Sequence, residues 1–238
     1  MSSSPTARRF ALTSTLAAVA CLGPVSPVTH PMVTFVIDDG SWTDYTVKKP
    51  IFDAHGAVAV SAVISSRRFL TDSQLLAMQA AGWEIASHSR AHLDETRLTG
   101  AQLEEEIGGA KRDLEQVGLT VTTHVYPYGL FNAEVERVTR KYYEGGVAAS
   151  GGPNPLPLAD RYAIRRFVFG RQYARAGTDT LPTYERVVDE AKRTGQWLVF
   201  MLHEVDRGDA ATLHQLLDYV RRQSIPIVTM REGLRSSR

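Results

Sequence analysis

The feature that most constrains the fold is an alternation of short apolar runs with helix-like patterns from Pro31 onward. The apolar runs are rich in β-branched residues, and capping signals, apolar periodicity and glycine stops mark the helices between them. Strands that alternate with helices favour a parallel sheet, and continuous apolar strands fit a sheet that is covered on both faces. The predicted strands are residues 33–37, 57–64, 84–87, 121–126, 163–169, 197–202 and 225–229, and the predicted helices are 71–82, 99–118, 132–143, 182–193 and 210–222.

About seven strands in roughly 208 residues is the size of a closed or nearly closed (β/α) barrel. We therefore predict the α/β class and a distorted (β/α) barrel of about seven parallel strands, with an open doubly wound sheet as the alternative. No glycine-rich phosphate loop follows the first strand, so nucleotide binding and NAD-type redox chemistry lack sequence support. The Gly- and Pro-rich residues 145–157 predict a loop.

Composition narrows the function further. The 238 residues carry 27 Lys and Arg against 26 Asp and Glu, and a formal charge of +1 gives no reason to expect nucleic acid as a partner. The single cysteine, Cys21, excludes an intrachain disulfide and a cysteine-based zinc site. A metal bound by this chain must therefore use His, Asp or Glu ligands. No feature of the sequence indicates an oligomeric state.

Residues 1–30 differ from residues 31–238, which we expect to form one domain. Arg8 and Arg9 precede an uncharged stretch whose first part, residues 10–22, is apolar or small and contains the cleavage-like triplet AVA at residues 18–20. These are the parts of a secretory signal, and the apolar run is shorter than the ~20 residues that a membrane span needs. We expect an exported, extracellular or cell-envelope protein without a transmembrane span. A disordered N-terminal tail on a cytoplasmic protein is the alternative.

Chemically capable side chains follow several predicted strands at their carboxyl ends. In a parallel barrel these ends meet at one face, where active sites are built. The sequence therefore predicts that residues far apart in the chain share one pocket. The residues are Asp38, Asp39, His88, His92, Tyr128 and His203.

The spacing of two histidines indicates a metal site. On a helical turn, His88 and His92 would lie on the same face and could point at one ion. With one aspartate they form a three-ligand set that leaves a position open for water, as in catalytic zinc sites. The neighbouring carboxylates Asp38 and Asp39 could then divide the work, one binding the metal and the other taking a proton from water. The alternatives are a solvated or structurally buried histidine pair and two loop acids that cap a turn. His203 by itself is typical of a structural residue, but on the shared face it is a candidate general acid.

These motifs, in this order, resemble those of the polysaccharide deacetylase family, also called carbohydrate esterase family 4, over about residues 33–229. The segment VIDDG at residues 36–40 resembles the first motif, T-F-D-D-G, and HSRAH at residues 88–92 matches the second, H-[ST]-x-x-H. The segment YPYG at residues 126–129 resembles the third motif in the Y-P-Y-G branch of the family, and Leu202-His203 resembles the fifth.

The resemblance implies a role for each of these residues. The base would be Asp38, the metal ligands Asp39, His88 and His92, the oxyanion donor the Tyr128 backbone N–H, and the acid His203. It further implies Zn²⁺ or another divalent transition metal (Co²⁺, Ni²⁺, Mn²⁺) and an acetylated carbohydrate substrate. The implied reaction, carried out by a catalytic domain at residues 31–238, is metal-dependent removal of acetyl groups, first of all the N-acetyl groups of an amino-sugar polymer or oligosaccharide.

The chain departs from the family pattern in two places. Val125 stands where the third motif often has an arginine that pairs with the catalytic aspartate. We nominate Arg166 as its replacement, with Arg165 second. A fourth motif is not found, so the residue that orients His203 and the aromatic side of the sugar groove have no assignment. The alternative functions are an O-acetyl esterase, a hydrolase of a non-sugar amide, and a non-catalytic carbohydrate-binding barrel.

Overall fold

The computed structural model describes residues 1, 30–175 and 177–237. The predicted secretory signal, with Arg8, Arg9 and Cys21, lies outside the described residues. None of the helices within residues 30–175 and 177–237 combines the length and the apolar character that a membrane span needs.

Seven parallel strands form a closed barrel in sequential order, and β1 pairs with β7 to close it. This confirms the predicted (β/α) barrel. The strands are β1 (Met32–Ile37), β2 (Val60–Val63), β3 (Glu84–Ser87), β4 (Thr123–Val125), β5 (Gly145–Ser150), β6 (Ile164–Val168) and β7 (Trp197–Leu202). The helices are α1 (Lys49–Ala54), α2 (Asp72–Ala80), α3 (Gly100–Glu104), α4 (Ala110–Glu115), α5 (Ala133–Tyr142), α6 (Leu181–Thr194), α7 (Arg207–Arg222) and α8 (Met230–Ser236). One π-helical turn (Asp44–Lys48) precedes α1, and a second (Glu105–Gly109) joins α3 to α4.

Two apolar layers hold the barrel together. Inside it, side chains from the strands form one cluster, which includes Val36, Val60 and Val199. Outside it, the opposite faces of the strands pack beneath the helices, where the rings of Phe35 and Phe200 stack with centroids 5.1 Å apart. Every residue of β1 and of β7 is buried, which is why both strands read as nearly continuous apolar runs.

The amino end of the barrel is closed by α8. Met230 and Leu234 of this helix pack with Met32 and Trp197, the first residues of β1 and β7. The Trp197 indole donates a hydrogen bond to Thr34 Oγ1 at 2.9 Å, so its polar atom is satisfied in the core. With this end filled, the carboxyl ends of the strands provide the accessible face.

The barrel has the predicted number of strands, but the last predicted strand, residues 225–229, is wrong. Residues 225–229 follow α7 and make a single isolated bridge, from Ile227 to Val33. The seventh strand is instead β5, within residues 145–157, where we predicted a loop. Small residues are needed there: a Cβ added at Gly146 would lie 2.2 Å from the Tyr126 hydroxyl oxygen.

The predicted helix signals have mixed outcomes. Thr71 and Gln74 form the predicted capping box at the start of α2. At α3 the same spacing makes no side-chain cap, although Thr99 is the N-cap residue. The predicted helix 99–118 is interrupted by the second π-helical turn. Helices α1 and α8 were not predicted.

Candidate active site

A cavity of about 360 Å³ lies at the carboxyl end of the barrel. The sequence-predicted site residues all line this one cavity: Asp38, Asp39, His88, His92, Tyr128, Arg166 and His203. A larger surface groove of about 710 Å³, lined in part by Ser65 and Asp113, contains none of them. We place the candidate site by its chemistry rather than by cavity size.

The two aspartates occupy different environments although they are neighbours. Asp38 continues β1: its N–H donates to the Leu202 carbonyl of β7 at 2.9 Å, and its side chain is buried. Asp39 has a φ of 74°, in the left-handed region, and its side chain is 42% exposed. This reversal of the backbone gives the carboxylates different partners.

The two histidines converge through a loop, so the predicted helical turn is wrong. Ser89 and His92 have φ values of 63° and 58°, and the Ser89 hydroxyl accepts the His92 N–H at 2.8 Å. The loop still brings the imidazoles together, with ring centroids 4.7 Å apart. The Nε2 atoms of His88 and His92 each lie 3.7 Å from Asp39 Oδ1.

Asp39, His88 and His92 have the chemistry of a metal-binding set. Each offers one ligand atom, and the three atoms lie within 4.8 Å of one another. His88 Nδ1 lies 2.7 Å from the Val125 carbonyl oxygen, so this nitrogen donates and leaves Nε2 facing Asp39. Burial lowers the pKa of His88 to about 4, so the ring is neutral at physiological pH and able to bind a cation. Two imidazoles and a carboxylate fit a divalent transition metal with open coordination positions.

Arg166 lies against Asp38, as nominated from the sequence. Its Nη1 donates to Asp38 Oδ1 at 2.6 Å, its Nε donates to the Ala148 carbonyl at 2.8 Å, and its side chain is 1% exposed. Burial acts to raise the pKa of the Asp38 carboxyl, but the Arg166 guanidinium and two nearby imidazoles outweigh it and hold that pKa below its ordinary value. Asp38 is therefore ionised. Arg165 is exposed and donates instead to the Pro153 carbonyl.

His203 follows β7 and lies on the other side of Asp38. Its Nε2 is 3.8 Å from Asp38 Oδ2. Burial lowers the pKa of His203 below its ordinary value, although Asp38 and Asp39 act in the opposite direction. A candidate base and a candidate acid thus lie side by side at the junction of β1 and β7.

Tyr128 lies beside the candidate metal ligands, against His92. Its φ of 57° is in the left-handed region; the residue is 60% exposed, and its ring packs on His92 with centroids 4.6 Å apart. The Tyr128 hydroxyl donates to the His92 carbonyl at 3.2 Å. The residue therefore ties the loop after β4 to the histidine loop.

Comparison with known proteins shows the family. Residues 26–143 match the polysaccharide deacetylase family. The chain belongs to this family. The matched segment contains both aspartates and both histidines, whereas Arg166 and His203 lie beyond it. Membership supports a hydrolase that deacetylates carbohydrate. No curated protein matched the chain.

Several solved structures share the fold of this polysaccharide deacetylase family member. The Xyl-CE4 domain of a multidomain xylanase from the hindgut metagenome of Trinervitermes trinervoides is 20% identical, with 85% of this chain and 89% of that chain covered and a TM-score of 0.62. A family 4 carbohydrate esterase from Streptomyces lividans, in complex with acetate, is 18% identical, with 84% and 92% covered and a TM-score of 0.61. A peptidoglycan deacetylase from Bacillus subtilis is 18% identical, with 87% and 92% covered and a TM-score of 0.60.

Of the polar and aromatic side chains that line the cavity of the deacetylase domain, one was not found from sequence. Tyr173 lines the cavity, is half-exposed, and packs against His203 with ring centroids 4.1 Å apart. It belongs to the irregular segment between β6 and α6, where neither periodicity nor a recognised motif marks it. Its ring provides an aromatic surface on the His203 side of the cavity.

Proposed function

We propose that this protein is a metal-dependent hydrolase that removes acetyl groups from carbohydrate. The leading candidate substrate is an amino-sugar polymer or oligosaccharide that carries N-acetyl groups. One observation carries the proposal: a single cavity contains a metal-binding set, an ionised carboxylate and a histidine beside it. These are the groups that acetyl hydrolysis by activated water requires.

Asp39, His88 and His92 would hold the divalent ion. When bound, such an ion supplies Lewis acidity, which lowers the pKa of water and stabilises developing negative charge. The chain itself keeps His88 in the correct tautomer through the Val125 carbonyl. Asp39 is the more exposed of the two aspartates, so it can be reached from the cavity.

Asp38 would act as the general base. Its Oδ1 is held by Arg166, which leaves Oδ2 directed towards the histidines, 3.9 Å from His88 Nε2 and 3.8 Å from His203 Nε2. Because Arg166 keeps the carboxyl ionised, Asp38 is ready to accept a proton from the attacking water. General-base catalysis by a positioned group contributes ~10²- to 10⁴-fold.

Tyr128 and His203 would complete the reaction. We assign the Tyr128 backbone N–H to the oxyanion, where one such donor contributes roughly 3 kcal/mol. His203 would donate a proton to the departing amine, which is a poor leaving group until it is protonated. The position of His203 beside Asp38 supports this pairing of acid and base.

The test is an Asp38→Asn variant assayed for acetate release from chitooligosaccharides. Asparagine keeps the size of the side chain but cannot take the proton, so turnover should fall by at least ~10²-fold. Metal content, measured by mass spectrometry, should stay at the wild-type level because Asp38 is outside the ligand set. Full activity in the variant, or a wild-type protein that neither binds metal nor releases acetate, would refute the proposal. The second result would favour a carbohydrate-binding barrel.

Substrate assays decide between an amide and an ester substrate, because the same residues could hydrolyse either. The fold shared with the Xyl-CE4 domain of a xylanase makes acetylxylan the first ester to include. Comparison of kcat/KM for chitooligosaccharides, acetylxylan and a non-sugar acetamide would rank the three substrate classes. A preference for the acetamide would overturn the carbohydrate assignment.

We propose export on the sequence of residues 1–30 alone. Fractionation of producing cells, followed by N-terminal sequencing of the mature chain, tests it. A cytoplasmic protein that keeps Arg8 and Arg9 would refute export.

A further inference from the structure

A buried lysine lies at the carboxyl end of the barrel, close to the loop that carries His203. Lys48 ends the first π-helical turn, and its side chain is fully buried. Its ammonium group donates to Asp44 Oδ1 at 2.9 Å and to Thr43 Oγ1 at 2.8 Å. A buried cation is costly unless it is paired and hydrogen-bonded, and Lys48 has both kinds of partner.

The Asp44–Lys48 pair is attached to the barrel wall. Asp44 is also fully buried, and its Oδ2 accepts a hydrogen bond from Ser61 Oγ of β2 at 2.6 Å. The pair therefore cannot move without breaking a bond to a barrel strand. The pair thus fixes the Lys48 ammonium group, which also contacts Thr43 and Glu204.

Thr43 and Lys48 both contact Glu204, the residue that follows His203. Thr43 Oγ1 donates to Glu204 Oε2 at 2.5 Å, and Lys48 Nζ lies 3.6 Å from the same oxygen. Burial acts to raise the pKa of Glu204, but hydrogen bonds from the Ser41 and Thr43 hydroxyls and the Lys48 charge hold it below its ordinary value. Glu204 is thus an anion held by two hydroxyls and a buried cation.

The anchor matters because residues 203–206 have no regular structure. The Glu204 side chain is 52% exposed. Without its contacts to Thr43 and Lys48, it could turn into solvent and away from the loop between β1 and the π-helical turn. The His203 Nε2 lies 3.8 Å from Asp38 Oδ2, beyond hydrogen-bond distance, and the His203 ring packs on the half-exposed Tyr173. The fixed side chain of Glu204 restrains the backbone next to His203.

We propose that Lys48 is a positioning residue that, through Thr43 and Glu204, holds the His203 imidazole beside Asp38. The proposal rests on the proposed function, because it assumes that His203 protonates the leaving group. Loss of the anchor should slow reactions that need this proton and leave other properties of the enzyme in place. A misplacement of about 1 Å costs up to ~10²-fold in rate, so a partial release should cost about tenfold.

The first test compares Glu204→Ala with Glu204→Gln. Alanine removes the anchor, so kcat for acetate release from chitooligosaccharides should fall about tenfold, with KM and metal content unchanged. Glutamine keeps an oxygen that accepts from Thr43, so it should restore most of the activity. Hydrolysis of para-nitrophenyl acetate should be nearly unchanged in both variants, since nitrophenolate departs without a proton.

The second test removes the base of the anchor. Lys48→Met with Asp44→Asn replaces the buried ion pair by neutral groups of similar size. It should reproduce the Glu204→Ala pattern and add no further loss when combined with Glu204→Ala. The matched control is Lys49→Met with Asp53→Asn, a neighbouring pair of the same spacing that is partly exposed. The control should keep wild-type kinetics.

The outcomes separate the two proposals. A wild type that releases no acetate from any substrate refutes the proposed function, and the role of Lys48 with it. An active wild type with unchanged Glu204→Ala kinetics, or with equal losses on the sugar and the aryl ester, refutes the positioning role alone. If the buried-pair variant does not fold, the half-exposed Glu204 variants decide the question.

Discussion

An Arg166→Met substitution would leave the Asp38 carboxylate buried without its 2.6 Å ion pair. The side chain of methionine fills most of the same space, so the change is mainly electrostatic. At present the pKa of Asp38 lies below its ordinary value because Arg166 outweighs burial. Without the guanidinium, burial dominates and the pKa of this carboxyl rises.

The size of the effect follows from the lost contact. A hydrogen bond to a charged group contributes about 1.5–3 kcal/mol, and 1.36 kcal/mol corresponds to a tenfold change in a protonation equilibrium. The acidic limb of the pH profile should therefore move upward by ~1 to 2 pH units. The sign follows from the proposed role of Asp38: a general base must be ionised, so the variant should lose most activity at low pH and recover as the pH rises.

Stability should fall as well. Breaking a buried ion pair costs about 3–5 kcal/mol, which in a domain of this size lowers Tm by about 10 °C. The ionised Asp38 contributes stability above its unfolded pKa, and this contribution is lost as the pH falls through the lower, folded value. Adding Asp38→Asn to Arg166→Met should recover part of the stability and none of the activity.

The assay is kcat/KM for acetate release as a function of pH, since this ratio reports the free enzyme. Arg165→Met is the matched control, because this neighbouring arginine is exposed and its guanidinium donates to the Pro153 carbonyl rather than to Asp38. An acidic limb that stays in place in Arg166→Met, or moves equally in the control, would show that Arg166 does not tune the base.

Three further predictions concern the metal, a buried pair and a glycine. Chelation should abolish acetate release and lower Tm, and Zn²⁺ or Co²⁺ should restore both; activity that resists chelation would contradict a role for the metal. In calorimetry, His92→Ala should weaken metal binding by more than the ~10- to 100-fold typical of changes outside the ligand set. Glu95→Ala leaves the buried His124 Nε2 without its 3.0 Å partner and should cost about 1–3 kcal/mol in urea unfolding, so an unchanged free energy of unfolding would count against that pair. Gly129→Ala would place a Cβ 1.9 Å from Ala149 Cβ at a φ of 66°, so the variant should fold poorly or have a lower Tm. Soluble protein with a wild-type Tm would contradict this packing.

The barrel was predictable where strand residues are apolar on both faces. Strands β1 and β7 have this character because each is covered by the barrel interior and by helices. Strand β5 does not, since Gly146 must leave room for the Tyr126 hydroxyl, and a Gly/Ala strand resembles a loop in sequence. Residues 225–229 have strand-like composition but come after the barrel is already closed.

The site was predictable because the ends of parallel strands converge, which placed Asp38 and His203 together without any contact being visible in the sequence. The loop that joins His88 to His92 was not, since its left-handed residues are a serine and a histidine rather than glycine. Lys48 was missed for another reason. An acid and a lysine four residues apart usually form a solvated pair, and only the packing shows that this one is buried.

The pairing of β1 with β7 has a consequence for how the protein is made. All three candidate metal ligands lie before residue 93, whereas Arg166 and His203 come from the last third of the chain. A nascent chain emerging from the ribosome thus has the candidate ligands long before it has the candidate acid, and Asp38 meets His203 only when β7 pairs with β1. If His203 is the acid, an unfinished or clipped chain lacking β7 would be inactive, and acetate release would report completed synthesis and barrel closure in a single measurement.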